Sequence, residues 1–174
     1  MRINGLFGEV FDDAEIKQRR SDLTNADRQA RFVSARTDIG TIPDIVNPER
    51  RAKSAGDIVA FGMAYCRQTP DYPGGLLERD PSEDIEAYAR DIQTAIEGGG
   101  MLHVRISRGG GKTAWCKIGI LWAVSNGKLS YPVTFAATSE LSREIIDDIW
   151  SVMEDSPNFA EDYPEIAHPI KALE

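Results

Sequence analysis

MLHVRISRGGGKTAWCKIGILWAVSNG, residues 101–127, changes its grammar twice and thereby decides the fold expected of the whole chain. Leu102, Val104 and Ile106 alternate along residues 101–107, and a period of two predicts a strand with one apolar face. RGGGK at 108–112 predicts a turn. From Thr113 to Gly127 the apolar residues recur at helical spacing and a glycine closes the run, which predicts a helix. YPVTFAATS at 131–139, rich in Val, Thr and aromatic residues, predicts a second strand. SELSREIIDDIWSVMED at 139–155 predicts a further helix with Ile145, Ile146, Ile149, Trp150 and Met153 on its apolar face. The strand-to-strand distance of about 30 residues is the size of a β-α-β unit, whose right-handed crossover makes its strands parallel. The expected fold class is α/β, a parallel sheet flanked by helices, with an N-terminal helical elaboration.

Working backwards from that stretch, Ser82 is placed to cap a helix through EDIEAYARDIQTAIEG. Ile85, Tyr88, Ala89, Ile92 and Ile96 recur at three- and four-residue steps, and Gly98 to Gly100 stop it. RQTPDYPGGLLERDPSED before it predicts a surface loop. Residues 48–66 predict one core helix with a wide apolar face (Ile58, Val59, Phe61, Met63, Ala64, Tyr65). TDIGTIPDIVNPERR breaks the pattern with Gly40, Pro43 and Pro48. Residues 9–36 are polar, with sparse apolar positions and no proline or glycine, and predict one or two exposed helices. The organisation read from the chain is a polar helical arm or flexible extension over 1–47 and an α/β domain over 48–174.

With 174 residues the chain is long enough for one sizeable core. Its 41% hydrophobic and 28% charged content is that of a soluble globular domain, and no run is apolar enough to span a bilayer. The N-terminus lacks the apolar core of a signal peptide, because Glu9, Asp12 and Asp13 interrupt it, so the expected location is the cytoplasm. A net charge of −8 argues against nucleic-acid binding by the whole surface. The basic stretches KQRR at 17–20 and ERRAK at 49–53 are mixed with acids and read as solvated helix faces. Cys66 and Cys116 are fifty residues apart without CxxC spacing, which predicts two buried, inert thiols and no zinc site.

The chemistry of the turn follows from its residue types. A phosphate chain needs several backbone N–H groups aimed at one point, and Gly109, Gly110 and Gly111 permit the dihedrals and close approach this requires. A helix opening at Lys112 adds the positive end of its dipole, and Lys112 brings an ammonium to the β and γ phosphates. Thr113 offers a hydroxyl to Mg²⁺, and Ser107 completes the phosphate-binding set. Ile106 stands where the usual G-x-x-x-x-G-K-[ST] pattern has its first glycine. Arg108 either reaches the γ-phosphate, stabilising the charge that develops in phosphoryl transfer, or faces solvent.

SRGGGKT, followed by an apolar helix, an NGK turn and TFAATSELSREIIDDI, resembles the N-terminal ATPase domain of phage-type terminase large subunits, the motors that package DNA. The resemblance covers roughly residues 48–174 and is strongest over 98–165. It implies a P-loop NTPase fold of the ASCE type, incomplete at its C-terminus in this chain. It also implies ATP and Mg²⁺ as ligands, double-stranded DNA and other terminase or portal subunits as partners, and the host cytoplasm as the location if the chain is phage-encoded. On this resemblance Arg108 and Lys112 are the catalytic candidates, Ser107, Gly109, Gly110, Gly111, Lys112 and Thr113 hold the nucleotide, and Thr113 holds the metal.

The family's Walker B strand, several apolar residues ending in an Asp-Glu pair that helps to hold Mg²⁺ and activates water, is not found. Asp147 and Asp148 fall in a helix pattern and read as a solvated face, so the expectation is an N-terminal portion that binds ATP better than it hydrolyses it. An adenine-reading glutamine is not identified; Gln68 and Gln93 are the candidates. His103 and His168 have no companions at ligand spacing and read as structural or exposed. Trp115 and Trp122, seven residues apart, read as core. Two other functions stay open: a non-catalytic interaction module that keeps the glycine turn as structure, and another P-loop motor such as a helicase. A sheet cut after two strands leaves an edge open to a partner or to a second copy of the chain.

Overall fold

A computed structural model describes residues 3–4, 10–11, 39–105 and 109–172. Helix α1 (Pro48–Gly56) begins where Asn47 accepts a hydrogen bond from the Arg50 N–H at 2.9 Å, with Pro48 pre-set in its first turn. At Asp57 the backbone is extended, and the Asp57 carboxylate caps α2 (Ile58–Tyr65) by accepting from the Val59 N–H at 2.8 Å. The single helix expected over 48–66 is therefore two. Gln93 holds the break, its amide oxygen accepting from the Ile58 N–H at 3.0 Å and its amide nitrogen donating to the Gly56 carbonyl at 2.9 Å.

Helix α3 (Glu83–Gly98) follows Ser82 and stops at Gly99, which sits at φ +69°. Helix α4 (Lys112–Ser125) opens after Gly111 and is followed by Gly127 at φ +65°. Helix α5 (Ser139–Asp155) is capped by the Thr138 hydroxyl, which accepts from the Leu141 N–H. Two short helices, α6 (Pro157–Asp162) and α7 (Pro164–Ala172), complete the order.

The core lies where α2 and α4 meet, with α3, α5, α6 and α7 around them. Ile58, Phe61 and Tyr65 of α2 and Trp115, Ile118, Leu121 and Trp122 of α4 are all fully buried or within 1% of it. Both tryptophans expected in the core are there. A Cβ at Gly62 would stand 2.9 Å from the Trp115 ring, and one at Gly119 would stand 2.7 Å from Ile92, so these two glycines set how closely α2 and α3 approach α4. Phe61, Tyr65, Phe159 and Tyr163 form an aromatic cluster, mostly edge to face at centroid distances of 4.8 to 6.4 Å.

The expected α/β fold with a parallel sheet is not what the chain forms. Among the described residues the strands are β1 (Ile3–Asn4) and β2 (Val10–Phe11), a two-stranded antiparallel pair with Ile3 opposite Phe11. Residues 101–105 and 131–137 form no strand, and no backbone hydrogen bond joins them. The period-two pattern is present, yet a strand exists only through the neighbour that accepts its N–H and C=O groups. Without one, Met101, Tyr131, Val133 and Phe135 stay 60 to 96% exposed.

Smaller corrections have similar causes. Ile146 and Trp150 of α5 are half exposed while Ile149 and Val152 are buried. Cys66 is buried as expected and Cys116 is exposed. Arg50 and Arg51 are not a solvated face: Arg50 donates to fully buried Asp162 and to Glu161, and Arg51 pairs with Glu165 while lying over the Tyr163 ring. Asp148 pairs with buried Lys117. The helices expected over 9–36 lie outside the described residues, apart from Val10–Phe11, which are strand. The chain divides into two units, Met1–Thr41 and Ile42–Glu174.

Candidate functional site

Gly109 and Gly111 adopt φ +80° and +72°, the left-handed region that an L side chain rarely enters. Glycine is therefore required at positions 109 and 111 by the path of the backbone into α4. Gly111 occupies the N-cap of α4 and has no side chain to cap with, and the first turn of the helix carries no acidic residue. The first turn of α4 therefore carries the positive end of the helix dipole with no capping side chain at its N-cap and no acidic side chain to offset it. Immediately over that turn lies a cavity of about 340 Å³ lined by Gly109, Gly110, Gly111, Lys112, Thr113 and Ala114.

Five of the sequence-expected residues, Gly109 through Thr113, are brought together on this one turn. Ser107 and Arg108 lie outside the described residues. Tyr88 of α3 steadies the start of α4: its hydroxyl lies 3.4 Å from the Lys112 carbonyl, to which it donates, and 3.0 Å from the Cys116 sulfur. Burial, and then the contact with Cys116, push the Tyr88 phenol above its ordinary range, so it keeps its proton and remains a donor. The Thr113 side chain is exposed, lines the cavity and makes no hydrogen bond to a described residue. A hydroxyl so placed fits Mg²⁺, which takes few protein ligands and fills its octahedron with phosphate oxygens and water. Among the described residues no group of three or more His, Cys, Asp or Glu side chains could hold a metal ion, at the turn or away from it.

Two larger cavities flank the turn. One, of about 590 Å³, lies between Gly109–Gly111 and the segment Leu76–Ser82. That segment is pinned by the Leu77 N–H donating to the Cys66 carbonyl at 2.9 Å and by the Leu77 carbonyl accepting from Gln68 at 2.8 Å. The other, of about 660 Å³, reaches from Lys112 and Thr113 along α4 to Ile120, and is walled by Ile92, Ile96, Val104 and Phe135. Lys117 lines it, already bound to Asp148.

Gln68 and Gln93 serve the backbone: Gln68 donates to the Gly75 carbonyl at 2.8 Å, and Gln93 bridges the break between α1 and α2. Residues 78–82 and Lys117 were not among the sequence candidates, because a polar loop and a helical lysine carry no local sign of the cavity they border. No family model, curated protein or solved structure matches the chain.

Proposed function

We propose that this chain binds Mg-ATP through the turn Gly109–Thr113 and is the nucleotide-binding portion of a terminase-like DNA-packaging ATPase. The observation that carries the nucleotide reading is the turn itself. Two left-handed glycines deliver the chain into a helix whose N-cap is Gly111, with Lys112 and Thr113 in its first turn and a cavity directly over it. A bound triphosphate would be held by the glycine N–H groups, Lys112 would neutralise its negative charge, and the Thr113 hydroxyl would be available to Mg²⁺. Double-stranded DNA and other terminase or portal subunits come to the proposal through the sequence resemblance alone. The parallel sheet of that family takes no part in it.

The cavity over the turn is lined by no carboxylate among the described residues, and Asp148 is occupied by Lys117. The expectation is therefore ATP binding with turnover near background. Titration calorimetry with Mg-ATP tests this: micromolar-range binding that Lys112→Ala abolishes supports the reading, and no heat with the wild-type chain overturns it. A second reading, a non-catalytic interaction module, is favoured by the exposed row Tyr131, Val133 and Phe135. A melting temperature unmoved by Mg-ATP selects it, because a ligand specific to the native state must raise that temperature.

A further inference from the structure

The two large cavities offer different chemistry to whatever extends from a phosphate chain at Gly109–Thr113. The cavity along α4 is walled mainly by aliphatic side chains, and its one buried cation, Lys117, is already neutralised by Asp148. The cavity against Leu76–Ser82 shares Gly109, Gly110 and Gly111 with the phosphate position and brings Glu78, Arg79, Asp80 and Ser82 to the opposite wall. Asp80 is tied to Arg67 at 2.9 Å, whereas Arg79 is exposed and makes no ion pair with any described residue. A guanidinium is a flat, weakly hydrated cation that stacks on ring faces as well as donating hydrogen bonds.

We infer that the nucleoside half of the bound triphosphate seats in the cavity between the glycine turn and Leu76–Ser82, with the Arg79 guanidinium stacked on the base. The inference rests on the proposed nucleotide reading and adds to it the recognition of the base. Glu78 beside Arg79 supplies an acceptor for a ribose hydroxyl or an exocyclic amine. The volume of about 590 Å³ lies within the range of small-molecule sites.

Calorimetric titrations of the full chain with Mg-ATP and with magnesium tripolyphosphate, which has no nucleoside, separate the two claims. Arg79→Ala is expected to weaken ATP by at least about tenfold and to leave tripolyphosphate unchanged, because only the stacking is lost. Arg79→Lys is expected to behave as Arg79→Ala, since it keeps the charge and loses the plane. Phe135→Ala, in the wall of the other cavity, is expected to change neither. The inference is overturned if Arg79→Ala leaves ATP unchanged, if it weakens both ligands equally, if Arg79→Lys restores ATP affinity, or if Phe135→Ala alone weakens ATP; in all four cases the phosphate reading stands. Absence of binding of both ligands to the wild-type chain overturns that reading and the inference with it.

Discussion

Replacing Asp162 tests the packing that fixes α1 against the end of the helical unit. The Asp162 carboxylate is completely buried and accepts from Arg50 at 2.5 Å (Nε) and 3.0 Å (Nη2) and from the Tyr65 hydroxyl at 2.7 Å. Removing one partner of a buried pair costs roughly 3–5 kcal/mol, because the other charge loses both its partner and its water. Here the survivor is the Arg50 side chain, which is 25% exposed and keeps Glu161 at 2.7 Å and Asn158 at 3.0 Å. Asp162→Ala therefore falls at the low end, about 3 kcal/mol. Arg50→Met strands the buried carboxylate and costs more, about 4 kcal/mol. Replacing both partners, as Arg50→Met with Asp162→Ala, leaves no uncompensated charge and is expected to cost clearly less than the sum of the two single changes. Urea unfolding followed by far-ultraviolet circular dichroism measures all three. In melting temperature the Asp162→Ala loss corresponds to roughly 6–12 °C for a chain of this size. If the double variant loses the sum of the two single losses, Arg50 and Asp162 act independently and are not a coupled buried pair.

Two further outcomes are expected. Gly75→Ala would set a Cβ 2.7 Å from the Arg67 carbonyl carbon and the Gln68 nitrogen and 2.8 Å from the Cys66 oxygen, all backbone atoms that cannot turn aside. It should destabilise by about 3 kcal/mol, while Gly74→Ala, whose nearest contact is 3.7 Å, should stay within about 0.5 kcal/mol of wild type; equal melting temperatures for the two variants would refute this. Burial raises the Cys66 thiol above its ordinary 9.0 and the Tyr65, Tyr72 and Tyr88 phenols above their ordinary 10.0. A raised folded-state pKa contributes stability that is complete below the ordinary value and is lost as pH climbs towards the folded one. Stability should therefore begin to fall above pH 9.0, and the deficit of Cys66→Ala relative to wild type should shrink over the same interval. A deficit that stays constant up to about pH 11 would show that the thiol does not contribute.

The elements with strong local signals were legible in the chain. The helix from Glu83 to Gly98, the helix closed before Gly127 and the helix over 139–155 each have a helical apolar period with a stop or a capping residue at its end. The break at Asp57 was not legible, because IVAFGMAY and PERRAKSAG both favour helix. What divides them is a capping carboxylate and a glutamine from α3, thirty-five residues on from Ile58. The direction of Ile146 and Trp150 was also hidden, since a helix with apolar residues around much of its surface does not declare which stripe its neighbours will cover.

The glycine turn is what the sequence determined by itself. Three consecutive glycines before Lys-Thr and an apolar helix specify left-handed backbone and a helix start, and these are local properties that Gly109, Gly111 and Lys112 carry in their own residues. Tertiary structure alone decided the rest. Residues 101–105 and 131–137 have the composition of strands, and whether they become strands depends on a partner backbone at hydrogen-bonding distance. The same holds for the surroundings of the turn: Leu76–Ser82 on one side and the α4 cavity on the other are placed there by packing across some thirty residues of chain. Local dihedral preference is written one residue at a time, whereas pairing and enclosure belong to surfaces that meet only after the chain has folded.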